Sequence, residues 1–298
     1  MGLPLALKLL STHLCGKNTD NWNTILTKLN DTDSLHTPKD KILAVLKISF
    51  DGLDPDYKNV FLDITCFYRN WREEYVKGVL DSDLSMLIDK SLISVQNGRI
   101  EMQDLIQEMG WHIASQEKPK SRLWQLNKDR VDMLSGKMAN KDIEGINWFV
   151  RWDADEKISF EITFKKMTNL KMFKVGGGSS DFHLMDDYLP SSLRWLEIAF
   201  YHFTSLPESF ASSELIGLSL RFSSLEKWSI TQKLDKLILL DLSFSESLCC
   251  KSFVGFAVYF LSSKEEVMEA VDDIYCKVRA KLSYEDNIME MKFSKVNV

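Results

Sequence analysis

Several things this 298-residue chain lacks narrow what it can be. Its five cysteines, Cys15, Cys66, Cys249, Cys250 and Cys276, are odd in number and never spaced C-x-x-C. That argues against a disulfide framework and against a zinc or redox pair, and the thiols are expected to be reduced. No apolar run is long: Phe253–Leu261 falls far short of the roughly 20 residues that span a bilayer. Met1-Gly2-Leu3-Pro4-Leu5 offers neither the basic start nor the small-residue cleavage site of a secretory signal. A soluble chain, cytoplasmic or nuclear and away from membranes, is the expectation. Positive charge is not in excess either. With 37 Lys and Arg against 43 Asp and Glu, the net charge is −6, so phosphate backbones meet no general basic surface and nucleic acid is disfavoured as a partner.

Signatures of catalysis are missing as well. His13, His36, His112, His183 and His202 are scattered, and none belongs to an H-E-x-x-H or G-x-S-x-G arrangement. The acidic pairs Glu73-Glu74, Asp186-Asp187 and Glu265-Glu266 are sequence neighbours, which point apart on a helix. A phosphate loop, G-x-x-x-x-G-K-[ST], does not occur. An enzyme is not expected.

What is present is 45% hydrophobic residue content, enough for the cores of two ordinary domains. Apolar residues recur at helical spacing over Leu5–Leu14, then at Trp22, Ile25, Leu26 and Leu29, and at Ile42, Val45, Leu46 and Ile48. Turn signals follow at Asp51-Gly52 and Asp54-Pro55. Beyond them, Val60, Phe61, Ile64 and Phe67 predict one helix, Tyr75, Val76, Val79 and Leu80 a shorter one, and Leu84–Leu92 a third. The period then changes. Leu92–Val95 and Arg99–Met102 read as strands about Gln96-Asn97-Gly98, and Asn-Gly is a strong hairpin signal. A helix resumes near Gln103 through Ile106, Met109 and Ile113. Helices followed by a small hairpin describe a winged helix.

From about residue 140 the template L-x-x-L-x-L repeats. It fits Leu193-Leu196-Ile198, Leu215-Leu218-Leu220 and Leu237-Leu240-Leu242, with Leu170-Phe173-Val175 before them and a looser Ile143-Ile146-Trp148 as a candidate capping strand. Spacing of 22 or 23 residues is that of leucine-rich repeats, where each unit gives one strand to a parallel sheet. Gly176-Gly177-Gly178-Ser179-Ser180 reads as a flexible insertion. Trp195, Phe200, Tyr201 and Phe203 form a candidate aromatic patch, although packing inside the repeats explains them equally well. After Ser247 the spacing fails. Phe253–Phe260 looks like a buried strand, and Ser263-Lys264-Glu265-Glu266 like a capping box opening a helix along Val267, Val271, Ile274 and Val278. Residues from about 283 onward are expected to be weakly ordered.

Several motifs now fall in one order. Gly2-Leu3-Pro4-Leu5-Ala6-Leu7 resembles the GLPLA motif of the nucleotide-binding region of plant resistance proteins. Leu46–Leu53 with Val60–Phe67 is similar to "LKISYDGL…FLDIACF", Leu87–Ile93 to "LxDKSLI", Met102–Gly110 to "MHDLIQEMG", and Ser121–Trp124 to the segment leading into the repeats. Over roughly residues 1–248 the chain therefore resembles the plant TIR-type nucleotide-binding, leucine-rich-repeat resistance proteins. The fold class implied is an α-helical winged-helix region followed by an α/β leucine-rich-repeat solenoid. The implied boundaries are 1–50 for the C-terminal helical part of the nucleotide-binding region, 51–125 for the winged helix and 140–248 for the repeats. Residues 249–298 are a post-repeat segment of uncertain fold.

The same resemblance implies ADP or ATP as the cofactor of the full-length family. It gives Pro4 contact with the adenine, with Gly2, Leu3 and Leu5 completing that turn. The family's histidine at the β-phosphate is replaced here by Gln103, while the neighbouring acid is kept as Asp104. An amide can donate to phosphate but cannot carry an imidazolium charge, so a weaker hold is expected. Without the phosphate loop, tight binding by the fragment alone is not expected. Implied partners are a pathogen effector or a guarded host protein through the repeats, besides intramolecular or receptor-oligomer contacts. The competing reading is a winged-helix DNA-binding regulatory protein. Tyr57–Lys118 carries seven Lys and Arg against ten Asp and Glu, a poor charge for DNA.

Overall fold

Two units make up the chain, Met1–Arg122 and Leu123–Val298. The computed structural model describes residues 38–119, 121–124, 141–149, 159–162, 164–176, 181–184, 189–200, 204–206, 213–226, 234, 236–242, 281–284 and 287–292, with scattered positions over 7–27. Among the last, Leu7, Leu10–Thr12 and Leu14 are helical, as their spacing predicts.

In the first unit, helix α1 (Pro38–Asp51) buries Leu46, Ile48 and Phe50. It stops before Asp54-Pro55, where the ring of Pro55 suits the first turn of α2 (Pro55–Asp63) because no N–H is needed there. Phe61 leaves α2 fully buried and meets Phe50 with ring centroids 5.4 Å apart. Burying such side chains contributes about 1.5–3 kcal/mol each. The sequence predicts one continuous helix from Val60 to Phe67. Instead α2 ends at Asp63 and Ile64–Tyr68 form a π-turn, all five residues buried. The wider turn brings Tyr68 inward beside Phe67, so an apolar set longer than one α-helical stripe is covered.

Helix α3 (Glu73–Leu80) buries Tyr75, Val76 and Val79 and ends on Asp81 at φ 52°, a left-handed cap. Helix α4 is shorter than its amphipathic pattern, covering Ser85–Asp89 only, because Ser91 turns left-handed at φ 57°. Strands β1 (Ser94–Gln96) and β2 (Arg99–Glu101) pair antiparallel in the register Gln96↔Arg99. Asn97 and Gly98, at φ 52° and 71°, make the tight turn that hairpin twist requires. The N–H of Ile100 donates to the Trp71 carbonyl at 2.9 Å, tying the wing to the chain before α3. Helix α5 (Asp104–Gln116) packs against α1, α2 and the π-turn through Ile106, Met109, Gly110 and Ala114. This is a winged-helix domain.

The second unit follows a two-residue strand, β3 (Arg122–Leu123), and is built on parallel strands. They are β4 (Gly145–Phe149), β6 (Met172–Gly176), β8 (Trp195–Ile198), β9 (Gly217–Ser219) and β10 (Leu239–Asp241). Neighbours pair Ile146↔Phe173, Met172↔Trp195, Trp195↔Gly217 and Gly217↔Leu239, so from β6 onward the 22- or 23-residue step of the sequence becomes a step of one strand, while β4 precedes β6 by 27 residues. Leu170, Leu193, Leu215 and Leu237 form one buried row, and Phe173, Leu196, Leu218 and Leu240 another. Such rows make one continuous core out of pieces that cannot bury themselves singly. Between strands, Lys174 reaches Glu197 at 3.1 Å and Arg221 reaches it at 3.0 Å. A second parallel pair, β5 (Ser159–Ile162) with β7 (Asp181–Leu184), lies outside this sheet.

Strands are also described near the end of the chain, where weak order is expected after residue 283. Strands β11 (Lys281–Tyr284) and β12 (Asn287–Lys292) form an antiparallel hairpin, and β12 joins β10 in parallel. Tyr284 pairs with Asn287, and the edge of β10 supplies the backbone partners that a lone hairpin lacks. The strand expected at Phe253–Phe260, the helix opening at Ser263 and Gly177–Ser180 of the glycine insertion lie outside the described residues.

Candidate functional site

The predicted site residues separate into two groups. Gly2, Leu3, Pro4 and Leu5 lie outside the described residues. Gln103 and Asp104 sit together at the start of α5. The helix expected near Gln103 begins one residue later: Gln103 is its cap, with extended backbone at φ −70° and ψ 146°, and its exposed side chain makes no capping bond. The Ile106 and Gln107 N–H groups donate to the Gln103 carbonyl at 3.0 Å, while the N–H groups that precede them in a helix have no partner within it, and exposed Gln103 adjoins them. Asp104 adds a carboxylate whose side chain is 89% exposed, with Oδ1 2.7 Å from Nη2 of Arg69.

Arg69 was not foreseen, since one arginine in Tyr68-Arg69-Asn70-Trp71 carries no periodic signal. Its Nη1 donates to Oε1 of Gln107, and Nε2 of Gln107 donates to the Thr65 carbonyl at 3.1 Å. The Trp111 Nε1 donates to that same carbonyl at 3.2 Å. Thr65 itself donates from Oγ1 to the Phe61 carbonyl at 2.8 Å. One face of α5 is thus bonded to the π-turn from its first to its second turn.

A second polar cluster lies at the end of the first unit. Arg122 is buried, its Nε 2.6 Å from Oδ1 of Asp63, its Nη1 2.7 and 2.8 Å from the two Glu117 oxygens, and its Nη2 donating to the Asn59 carbonyl at 3.2 Å. Burial works against the guanidinium charge, but the two carboxylates outweigh it and hold the Arg122 pKa above its ordinary value. Cys66 lies near this cluster. Burial drives its thiol pKa well above the usual range, an effect that Arg122 opposes and Asp63 and Glu117 reinforce. A thiol so placed is no nucleophile.

The aromatic patch expected at Trp195, Phe200, Tyr201 and Phe203 is only partly assembled. Trp195 is 3% exposed and covers Gly217, where an added Cβ would stand 2.3 Å from the ring. Phe200 instead stacks on Phe222, with centroids 5.1 Å apart and planes 14° from parallel. Phe222, one repeat later, was missed, and the 22-residue offset was the available signal. Tyr201 and Phe203 lie outside the described residues. Among the described residues, no His, Cys, Asp and Glu group could hold a metal ion, and no helix is long and apolar enough to cross a membrane.

Residues 54–117, from the turn before α2 through α5, match the family model described as the winged-helix domain of Roq1-like disease resistance proteins. The chain is 34% identical over 259 residues to TMV resistance protein N of Nicotiana glutinosa, a match covering 83% of this chain and 22% of that protein. It is 32% identical over 297 residues to disease resistance protein RPV1 of Vitis rotundifolia, and 34% over 268 residues to RPP2A of Arabidopsis thaliana, each covering 83% of this chain and 20% of the relative. The chain belongs to the TIR-type plant disease resistance proteins. It spans about a fifth of the length of these relatives. Its winged helix is of the resistance-protein type and not that of a DNA-binding regulator, which overturns the competing reading. Gln103, Asp104, Arg69 and the π-turn all fall inside this domain, whereas Arg122 lies just beyond it.

Proposed function

We propose that this chain is the regulatory and recognition part of an intracellular plant innate immune receptor, working in disease resistance as a switch and a binding surface and not as an enzyme. Residues 1–50 would complete a nucleotide-binding region, 51–125 the winged helix that follows nucleotide state, and 140–248 a leucine-rich-repeat solenoid. What supports this is family membership together with the geometry of Gln103 and Asp104, which open α5 with unspent donors inside a resistance-type winged helix. Those donors suit the phosphates of ADP, and when bound the nucleotide supplies the charge that differs between the two states of the switch. Gly2, Leu3, Pro4 and Leu5 would hold its adenine end. The parallel strands, repeating every 22 or 23 residues, suit a surface for an effector, a guarded host protein, or another part of the receptor.

The test is nucleotide retention by the receptor carrying this chain. Gln103→His restores an imidazolium at the phosphate, and a hydrogen bond from a charged donor is stronger by about 1 kcal/mol, so ADP should be held several-fold longer. Equal retention by the two forms would overturn the nucleotide reading.

A further inference from the structure

The π-turn Ile64–Tyr68 continues and ends the helix begun by α2, and it packs against α5. Arg69 is the first residue beyond it, at the point where the backbone becomes extended, at φ −58° and ψ 136°. From there its guanidinium reaches two residues in the first turn of α5: Nη2 is 2.7 Å from Asp104, and Nη1 donates to Gln107. The third nitrogen, Nε, is buried without a hydrogen-bond partner. An unsatisfied buried donor costs about 1–3 kcal/mol, so this arrangement of Arg69 is not its best possible one. Its ionic partner, meanwhile, is an almost fully exposed carboxylate, open to anything that competes for it. From Gln107 the connection continues to the Thr65 carbonyl in the middle of the π-turn.

We propose that Arg69 is a positioning residue joining the first turn of α5 to the π-turn, so that releasing Asp104 loosens Ile64–Tyr68. The use of this coupling in the switch rests on the nucleotide reading above; the coupling itself rests on Arg69, Asp104, Gln107 and Thr65 alone. Asp104 is then the exposed end of a connection whose other end is buried.

Hydrogen exchange of the 298-residue chain without nucleotide tests it, so its failure is distinct from failure of the Gln103→His experiment. Asp104→Asn and Arg69→Gln should each speed exchange at Thr65–Tyr68 on the order of tenfold, and the double variant should do no more than either alone. Arg69→Lys keeps a charge for Asp104 but loses the fork, and should fall between. Lys47→Gln breaks another exposed ion pair, Lys47 with Asp51 at 2.7 Å, and should leave the π-turn unchanged. An ordinary exposed pair contributes little beyond its own residues. A response confined to residues 103–107, or effects of Asp104→Asn and Arg69→Gln that add, would therefore overturn the proposal. Should Arg69→Gln fail to fold, Asp104→Asn at its exposed site still decides: unchanged exchange at Thr65–Tyr68 sinks it.

Discussion

A Cβ added to Gly110 would stand 2.4 Å from Cγ2 and 2.6 Å from Oγ1 of Thr65, closer than real side chains approach. The missing side chain on α5 is what lets this helix lie against the π-turn. Thr65 is branched at Cβ and hydrogen-bonded, so it cannot swing aside cheaply. Gly110→Ala should therefore destabilise the winged helix by about 1–3 kcal/mol, despite alanine's better helix propensity. Chemical denaturation measures this, and the double variant Gly110→Ala with Thr65→Ala should recover part of the loss. Equal stability of Gly110→Ala and the parent would show that the contact relaxes.

Arg122 predicts a different pattern of losses. Removing one partner from a buried ion cluster leaves the others uncompensated, at about 3–5 kcal/mol. Arg122→Ala leaves Asp63 facing Glu117 with no cation between them, and should cost that much. Adding Asp63→Ala should restore stability in part. Simple additivity of the two losses in urea denaturation would contradict the arrangement.

For Cys66 the relevant variable is pH. Its folded pKa is raised above the ordinary 9.0, so above pH 9 the unfolded chain has shed a proton that the folded chain keeps. Stability from this group is complete below pH 9 and falls as pH rises beyond it, by at most about 1.4 kcal/mol per pH unit. Cys66→Ala should flatten the alkaline limb of a stability profile. In the native chain at pH 8, exposed Cys15 should react with a thiol reagent while Cys66 stays unmodified, and mass spectrometry of labelled peptides reads both.

At the tip of the wing, Gly98 has φ 71°, and open space surrounds the place of its Cβ. Gly98→Ala thus isolates backbone strain from crowding, with an expected cost of about 1–2 kcal/mol. Exchange of the Ile100 amide, which bonds the Trp71 carbonyl, should quicken by a corresponding factor.

Much of this fold was legible because its signals are periodic. The 22-residue step predicted strand positions and even register, since Leu193, Leu215 and Leu237 had to share one row. Asn97-Gly98 likewise announced the wing, because few dipeptides accept two positive φ angles. The π-turn was not legible: Ile64 and Phe67 satisfy an α-helical stripe as well as a wider one, and tertiary packing decides between them. Nor were Arg69 and Arg122, whose partners Asp104 and Asp63 lie 35 and 59 residues away in sequence. Ion pairs across such separations leave no local pattern. Only motif order singles out Gln103 and Asp104 as candidates; no periodic signal does. The hairpin Lys281–Lys292 was missed because its stabilising partner is the edge of β10, not its own composition.

The fit of Trp195 over Gly217 bears on how this stretch of chain can change through descent. Repeats with regular strands invite duplication and unequal exchange, as if each were a free module. Here one repeat's large ring occupies the room that its neighbour's glycine leaves, so the two are inherited as a pair. Recombination that placed a bulkier residue opposite Trp195, or set Gly217 beside a small one, would leave a collision or a hole. Among relatives, these two positions should change together or not at all.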